Sequence, residues 1–459
     1  MASRIGLLIA ALLFSPLMGH FVTAQNRQLG LSVLVSDLSP ANLAALAQHG
    51  TVLSTLAEIN ALTMRAREGD LATIRALPFV IAATPDAERT GAPIDTVSLP
   101  NFLVGLNTWD LDAINVTNIQ AGPDRTVTQT GAGVYVAVLD SGLLDSWRQY
   151  FPQERIATQY AVAFRGGGNE RGHISTPANV WEHDQNSHGT HVTSTILGYS
   201  LAGTPINGVA PLATVIPVKV LGQNGSGWSS VVAAGIVYVA NLKAGPLAGS
   251  PVVINMSLGG PELDAVEQAA IDYAIAQGVI LVASAGNRGT QGMGYPGAYP
   301  PVISAAASGW IGEWLPGADG NRANWWVQDN VAEPTNPADF YIADFSSREL
   351  AGQDLDVAAP GSWTVGPYQL QSGKTSYFFL GGTSMASPHV AGIVALMAQK
   401  APGLTATQAE VILESTAIPL APGCRSVTQP TGVAEMVCWE ATATGSGLAV
   451  ADAALAATP

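Results

Sequence analysis

The stretch GGTSMASPHVAG, Gly381 to Gly392, sets a serine between paired glycines and the opening of a small-residue helix. Lacking a Cβ, Gly381 and Gly382 can take turn conformations and lie close to a ligand. Proline suits the first turn of a helix and costs a hydrogen bond further in, so Pro388 predicts a helix start near Thr383, with Ser384 at its mouth. Free backbone N–H groups and the positive end of the helix dipole favour negative charge there, and an oxyanion formed beside Ser384 would be stabilised. Ser384 is therefore a candidate nucleophile. The competing role for Ser384 or Thr383 is a plain N-cap.

The chain has 459 residues, 47% hydrophobic and 12% charged, enough for two or three domains around a large buried core. Its formal net charge of -15 argues against nucleic acid or anionic membranes as partners. Arg4, the apolar run Ile5 to Phe14 and the small-residue end Val22-Thr23-Ala24 read as a cleaved secretory signal over residues 1–24, which predicts a secreted, extracellular protein. That run is short for a membrane span and no later one is uniformly apolar over enough length, so no membrane anchor is expected. Export favours a disulfide between Cys424 and Cys438, the two cysteines of the chain, over a pair of free buried thiols.

Residues 25–100 read as a small α+β domain. Strands are expected at Leu31 to Val35, Val52 to Leu56, Ile59 to Ala66 and Val80 to Ala83, and helices at Pro40 to Gln48 and Gly69 to Leu77, a split β-α-β arrangement. Thr90 to Pro100 is polar and turn-rich and reads as a processing linker. From Thr108 onward, β-branched runs at Val134 to Leu139, Thr214 to Leu221, Val252 to Met256 and Val279 to Ala283 alternate with helical segments at Thr190 to Gly198, Ser229 to Leu242 and Asp264 to Gln277. That alternation predicts an α/β fold over residues 101–459, a mostly parallel sheet with helices on both faces and reactive groups at the carboxyl ends of its strands. Gly309 to Asp344 breaks the pattern with Trp310, Trp314, Trp325 and Trp326, either a substrate-contacting loop or one packed over its own rings.

Three further motifs bear on Ser384. Asp140-Ser141-Gly142 puts a carboxylate where a strand meets a turn. His188-Gly189-Thr190-His191 puts an imidazole at a helix entrance, where a general base can be exposed on one side and fixed on the other. Asn287, in Ser284-Ala285-Gly286-Asn287, offers an amide donor to a developing oxyanion. A zinc site from His183, His188, His191 and Asp140 is the competing reading, and it lacks the HExxH pattern.

With VAVLDSG at Val136 to Gly142, NSHGTHV at Asn186 to Val192, GVAP at Gly208 to Pro211, VKVLGQNGSG at Val218 to Gly227, NMSLGG at Asn255 to Gly260, SAGN at Ser284 to Asn287, YPGAYP at Tyr295 to Pro300 and GTSMASPHVAG at Gly382 to Gly392, the chain resembles the subtilisin-like serine proteases from about Trp109 to Ala454. The resemblance implies a subtilisin-like fold and a catalytic triad of Asp140, His188 and Ser384, with Asn287 in the oxyanion hole and no cofactor in the chemistry. It further implies that Ser257, Leu258 and Gly259 pair with an extended peptide, with Gly225 and Gly227 on the opposite edge. Ser284, Ala285, Gly286 and Gly294 would line a pocket for a large apolar side chain before the cleaved bond. His191 and His389 fall at positions that are not catalytic in the family. Residues 25–100 resemble the family's inhibitory propeptide, so the expected partners are protein or peptide substrates and the chain's own propeptide, in a monomeric enzyme. Structural calcium is an expectation without assigned ligands, because no clean loop of spaced acidic residues stands out. The alternatives are a catalytically silent binding protein on the same fold and a metal-dependent hydrolase.

Overall fold

The computed structural model describes residues 26–99, 108–117, 125–168, 173–201, 203–316, 320, 331–369 and 376–459. The leader reading over 1–24, the linker residues 100–107, Trp325 and Trp326 lie outside them.

The first unit runs β1 (Gln28–Val35), α1 (Pro40–Leu46), β2 (Gly50–Leu56), β3 (Ala61–Arg67), α2 (Leu71–Arg75) and β4 (Val80–Pro85). Its strands form an antiparallel sheet in the order β2-β3-β1-β4, as the split β-α-β reading requires. Pro40 opens α1 where no donor is needed, and the Ser39 hydroxyl accepts from the Asn42 N–H as its N-cap. Leu31, Val33, Leu46, Leu62, Met64 and Ile74 make a small core of their own.

The linker differs from its sequence reading. Two short strands, β5 (Glu88–Thr90) leading into it and β6 (Asp95–Ser98) inside it, form because distant parts of the chain supply their hydrogen-bond partners.

The second unit follows as α3 (Trp109–Ala113), β7 (Tyr135–Asp140), β8 (Val162–Ala163), α4 (His188–Leu197), the hairpin β9 (Gly198–Leu201) and β10 (Thr204–Asn207), β11 (Thr214–Lys219), β12 (Ser226–Trp228) and α5 (Ser229–Ala244). Next come β13 (Val252–Met256), α6 (Ala265–Ala276), β14 (Val279–Ser284), β15 (Ile303–Trp310), β16 (Phe340–Ile342), β17 (Val357–Pro360), β18 (Thr364–Pro367) and β19 (Tyr377–Gly381). The chain closes with α7 (Thr383–Lys400), α8 (Ala406–Thr416), the hairpin β20 (Gly423–Thr428) and β21 (Ala434–Trp439), and α9 (Ala451–Ala457). The central sheet has the order β16-β15-β14-β13-β7-β11-β8, with β17 added beside β15. Its pairings are parallel except that of β16.

Strand periodicity builds a core on each face of this sheet. Val136, Val138, Val253, Ile280 and Val282 point to one side, where they join Val192 and Ile196 of α4 and Val390 and Val394 of α7. Ala137, Leu139, Ile254, Leu281 and Ala283 point to the other, with Ile236 of α5 and Ile271 of α6. Buried on both faces, the strands read as continuous apolar runs, which is why they were legible. The first unit rests on the α5 and α6 side, contributing Ile59 and Ala61 to that second core.

Candidate active site

The carboxyl ends of β7 and β14 and the N-termini of α4 and α7 meet at one place. Asp140 ends β7, and one of its oxygens accepts the Ser141 N–H at 2.6 Å. His188 is the first residue of α4, and its Nδ1 lies 2.8 Å and 3.0 Å from the two Asp140 oxygens, with both side chains fully buried. Gly189 makes the approach possible, since a Cβ there would stand 2.4 Å from the Gly142 carbonyl and 3.2 Å from the Asp140 Cβ. The Asp140 carboxylate therefore fixes the ring and leaves Nε2 facing the cleft without a hydrogen bond among the described residues.

Ser384 is the second residue of α7, whose cap is Gly382. Contrary to the expectation from sequence, Pro388 lies inside the helix, beyond the first turn. Its missing N–H would have bonded the Ser384 carbonyl. The Ser257 hydroxyl donates to that carbonyl instead, at 2.8 Å, and Asn255 Nδ2 donates to the Ser257 hydroxyl at 3.0 Å. The Ser384 hydroxyl itself donates to the Ser257 carbonyl at 3.3 Å. Asn287 Oδ1 accepts from the Thr383 N–H and hydroxyl at 2.9 Å and 2.8 Å, which turns the amide NH2 toward Gly382 and the helix mouth.

The linker runs through this cleft. β5 pairs antiparallel with β12, Arg89 facing Gly227 in register, and Thr90 exchanges backbone hydrogen bonds of 3.0 Å and 2.9 Å with Gly259 on its other side. The Gly91 N–H then donates to the Gly225 carbonyl at 2.9 Å, and the Ile94 N–H to the Gly381 carbonyl at 2.7 Å, before β6 pairs with β19. The segment is a third strand between two edges, the geometry of strand addition. Its Gly91 presses on the imidazole: a Cβ there would lie 2.7 Å from Leu221 Cδ1, 2.9 Å from the Ser257 carbonyl and 3.3 Å from His188 Cε1.

Beside Ala92 opens a cavity of about 250 Å3, lined by Gly259, Gly260, Ser284, Gly286, Asn287, Gly294 and Ser384 among others. Leu258, expected to pair through its backbone, and Ala285, expected in the pocket wall, bury their side chains in the cores on opposite faces of the sheet. They serve through their backbones, the Leu258 carbonyl accepting the Ser284 hydroxyl and the Ala285 carbonyl the Gly294 N–H.

The other histidines divide as their burial dictates. His191 is buried, with Nε2 against the Thr364 carbonyl at 3.2 Å, and burial, aided by the neighbouring His188, pushes its pKa down to about 3. His389 spans the Met385 carbonyl and Asp110, both at 2.8 Å. His183 pairs with Asp145 at the surface, away from the zinc grouping considered above. Trp310 stacks on Trp109 and Trp314 packs edge-on to Trp363 and Phe379, so both described tryptophans of the loop face inward. Cys424 and Cys438 sit opposite each other in the β20–β21 hairpin and are bonded.

Several buried groups had no sequence signal. Lys219, whose ammonium burial disfavours, donates to the Ser141 carbonyl and lies 3.3 Å from Asp184, behind the Asp140 turn. Glu313 accepts from Tyr341, Ser362 and the Trp310 N–H, and burial pushes its pKa up to about 8. Arg89 forms an ion pair with Glu267 in which neither side chain meets solvent. Each joins residues far apart in the chain.

Residues 131–445 match the model of the Subtilase family, Peptidase_S8. The chain is 34% identical over 306 residues to a subtilisin of Bacillus pumilus, covering 66% of this chain and 90% of that one. It is equally identical to subtilisin E of Bacillus subtilis, covering 65% of that sequence. Among solved structures, fervidolysin of Fervidobacterium pennivorans, described as a keratinolytic enzyme related to subtilisin, superposes over 95% of this chain and 62% of its own, with TM-score 0.65 and 25% identity. The chain belongs to the subtilase family, the subtilisin-like serine endopeptidases.

Proposed function

We propose that the chain is a secreted, monomeric endopeptidase made as a self-inhibited precursor and cutting peptide bonds through an acyl-enzyme on Ser384. The observation that carries this reading is the Asp140–His188 pair, 2.8 Å apart, facing a cleft in which the chain's own segment lies as a peptide strand beside Ser384. Ser384 attacks the scissile carbonyl as His188 Nε2 takes its proton, and that proton passes to the leaving amine. The Ser384 hydroxyl must first leave the Ser257 carbonyl for Nε2. Asp140 holds the ring and stabilises its cation, and the Asn287 amide with the Ser384 N–H receives the oxyanion. Water then releases the acyl group.

Residues 25–100 act as propeptide, and the cut that frees the enzyme falls within about Thr90 to Thr108. The small-residue walls of the 250 Å3 cavity favour Phe, Tyr, Leu or Met before the cleaved bond. Export accounts for the Cys424–Cys438 bond. Structural calcium is served best by Asp354, Asp356 and Glu410, whose ligand atoms lie within 4.8 Å of one another and among which Asp356 Oδ1 has no hydrogen bond from the described residues. These hard oxygen donors suit calcium and would tie the segment leading into β17 to α8, with no part in the chemistry.

Digestion of a peptide library by the matured protein tests the reading. Cleavage after large apolar residues, lost in Ser384→Ala, is expected. Preference for Arg or Lys before the cut would overturn the pocket assignment, and full activity of Ser384→Ala would overturn the mechanism.

A further inference from the structure

The linker strand shows how a second side chain of a peptide is read. The segment passes Ser384 at Ala92 and Pro93: Ala92 borders the cavity beside Ser384, and the Pro93 Cα and Asn287 Nδ2 both lie within 3.7 Å of where a Cβ on Gly382 would stand. Counting back from the Ala92–Pro93 bond, Arg89 is the fourth residue. Its guanidinium is fully buried, with Nη2 donating to Glu267 Oε2 at 2.6 Å, Nε to Oε1 at 3.1 Å, and Nη2 also to the Glu262 carbonyl at 2.9 Å. Nη1 turns back to the carbonyl of Glu88 at 3.0 Å.

The socket belongs to the enzyme body. Glu267 lies in the first turn of α6, and Asp264 is the N-cap of that helix, accepting from the Val266 and Glu267 N–H groups. Gly260 leaves the entrance open, since a Cβ there would stand 2.8 Å from Arg89 Nη1. Burial raises the Glu267 carboxyl and the Arg89 guanidinium opposes the rise. When the propeptide departs it takes Arg89 and Asp86 with it. Glu267 stays behind without its cation, and a substrate whose fourth side chain covers it without bringing a charge leaves a buried carboxylate unpaired, which is costly. A planar guanidinium meets both Glu267 oxygens at once, where an ammonium offers a point charge.

We propose that this acidic socket is a substrate subsite selecting arginine at the fourth residue before the cleaved bond, with Glu267 as the specificity-determining residue and Arg89 as its built-in ligand. The inference rests on the endopeptidase reading above. A peptide entering along the Gly225–Gly227 and Ser257–Gly259 edges in the register of Thr90 delivers its fourth side chain to Glu267. Strand pairing supplies sequence-independent hold, and the socket supplies choice.

The test uses matured wild-type protein and four-residue chromogenic amides X-Thr-Gly-Phe, with X as Arg, Lys or Leu. We expect kcat/KM for Arg to exceed that for Leu by at least about tenfold, with Lys between them, since a buried charge left unpaired costs of that order or more. Glu267→Gln should erase the difference and Glu267→Leu reverse it. Equal or better hydrolysis with Leu by the wild type overturns the proposal without any variant, as does an arginine preference that survives in Glu267→Gln. Absence of hydrolysis for every amide, with Ser384 unreactive to a fluorophosphonate, overturns the endopeptidase reading and this subsite with it. Hydrolysis without arginine preference removes the subsite alone.

Discussion

The Ser257 hydroxyl donates to the Ser384 carbonyl at 2.8 Å, occupying the acceptor that Pro388 leaves without its helical donor. One serine beside the edge that holds the linker thereby anchors the turn that carries Ser384. Ser257→Ala leaves that buried carbonyl unsatisfied, at a cost of about 1–3 kcal/mol. Thermal unfolding, in a Ser384→Ala background to prevent self-digestion, should show the loss. In the active background kcat should fall more than KM changes. An unchanged melting temperature would mean the bond contributes nothing.

Gly91 stands where any side chain meets Leu221, the Ser257 carbonyl and the edge of His188. Gly91→Val should lift the linker from the cleft and expose Ser384 before processing. A fluorophosphonate added during a maturation time course should then label the full-length band of Gly91→Val, while wild-type label appears only in the processed band. Equal labelling of the two full-length bands would show that the linker does not cover the site.

Glu313 makes stability depend on pH. Its folded pKa is about 8 against a usual 4.5, so between these values the folded chain holds a proton the unfolded chain has lost. Its contribution is complete below about 4.5 and gone above about 8. Glu313→Gln stays neutral throughout and can still bond Trp310, Tyr341 and Ser362. Between pH 5 and pH 8 its melting temperature should therefore drop less than the parent's, by a few degrees. Parallel curves would place the titration elsewhere.

Processing in cis predicts that purified Ser384→Ala accumulates as the unprocessed chain. Normal maturation of that variant in a purified system would show that Ser384 does not make the cut.

The catalytic body was legible because its information is local. β13 follows its apolar run residue for residue at Val252–Met256, and Asp140, His188 and Ser384 each sit at a strand or helix end marked by glycine or a small residue. Contacts whose halves lie far apart were not legible. Glu88–Thr90 and Asp95–Ser98 become strands only because β12 and β19 supply their partners. Arg89 looks like one more surface charge until folding brings Glu267, 178 residues on, within 2.6 Å. Pro388 misled for the same reason, since the group that compensates for it is Ser257. The open question of Trp310 and Trp314 was decided by ring partners that local polarity could not reveal.

The most direct measurement is reaction of the matured protein with a fluorophosphonate, followed by peptide mapping, with His188→Ala processed in trans by the wild type as control. Covalent modification at Ser384 in the wild type, falling to background in His188→Ala, is the expected result. Modification at another residue, or undiminished labelling of Ser384 without the imidazole, would contradict the account.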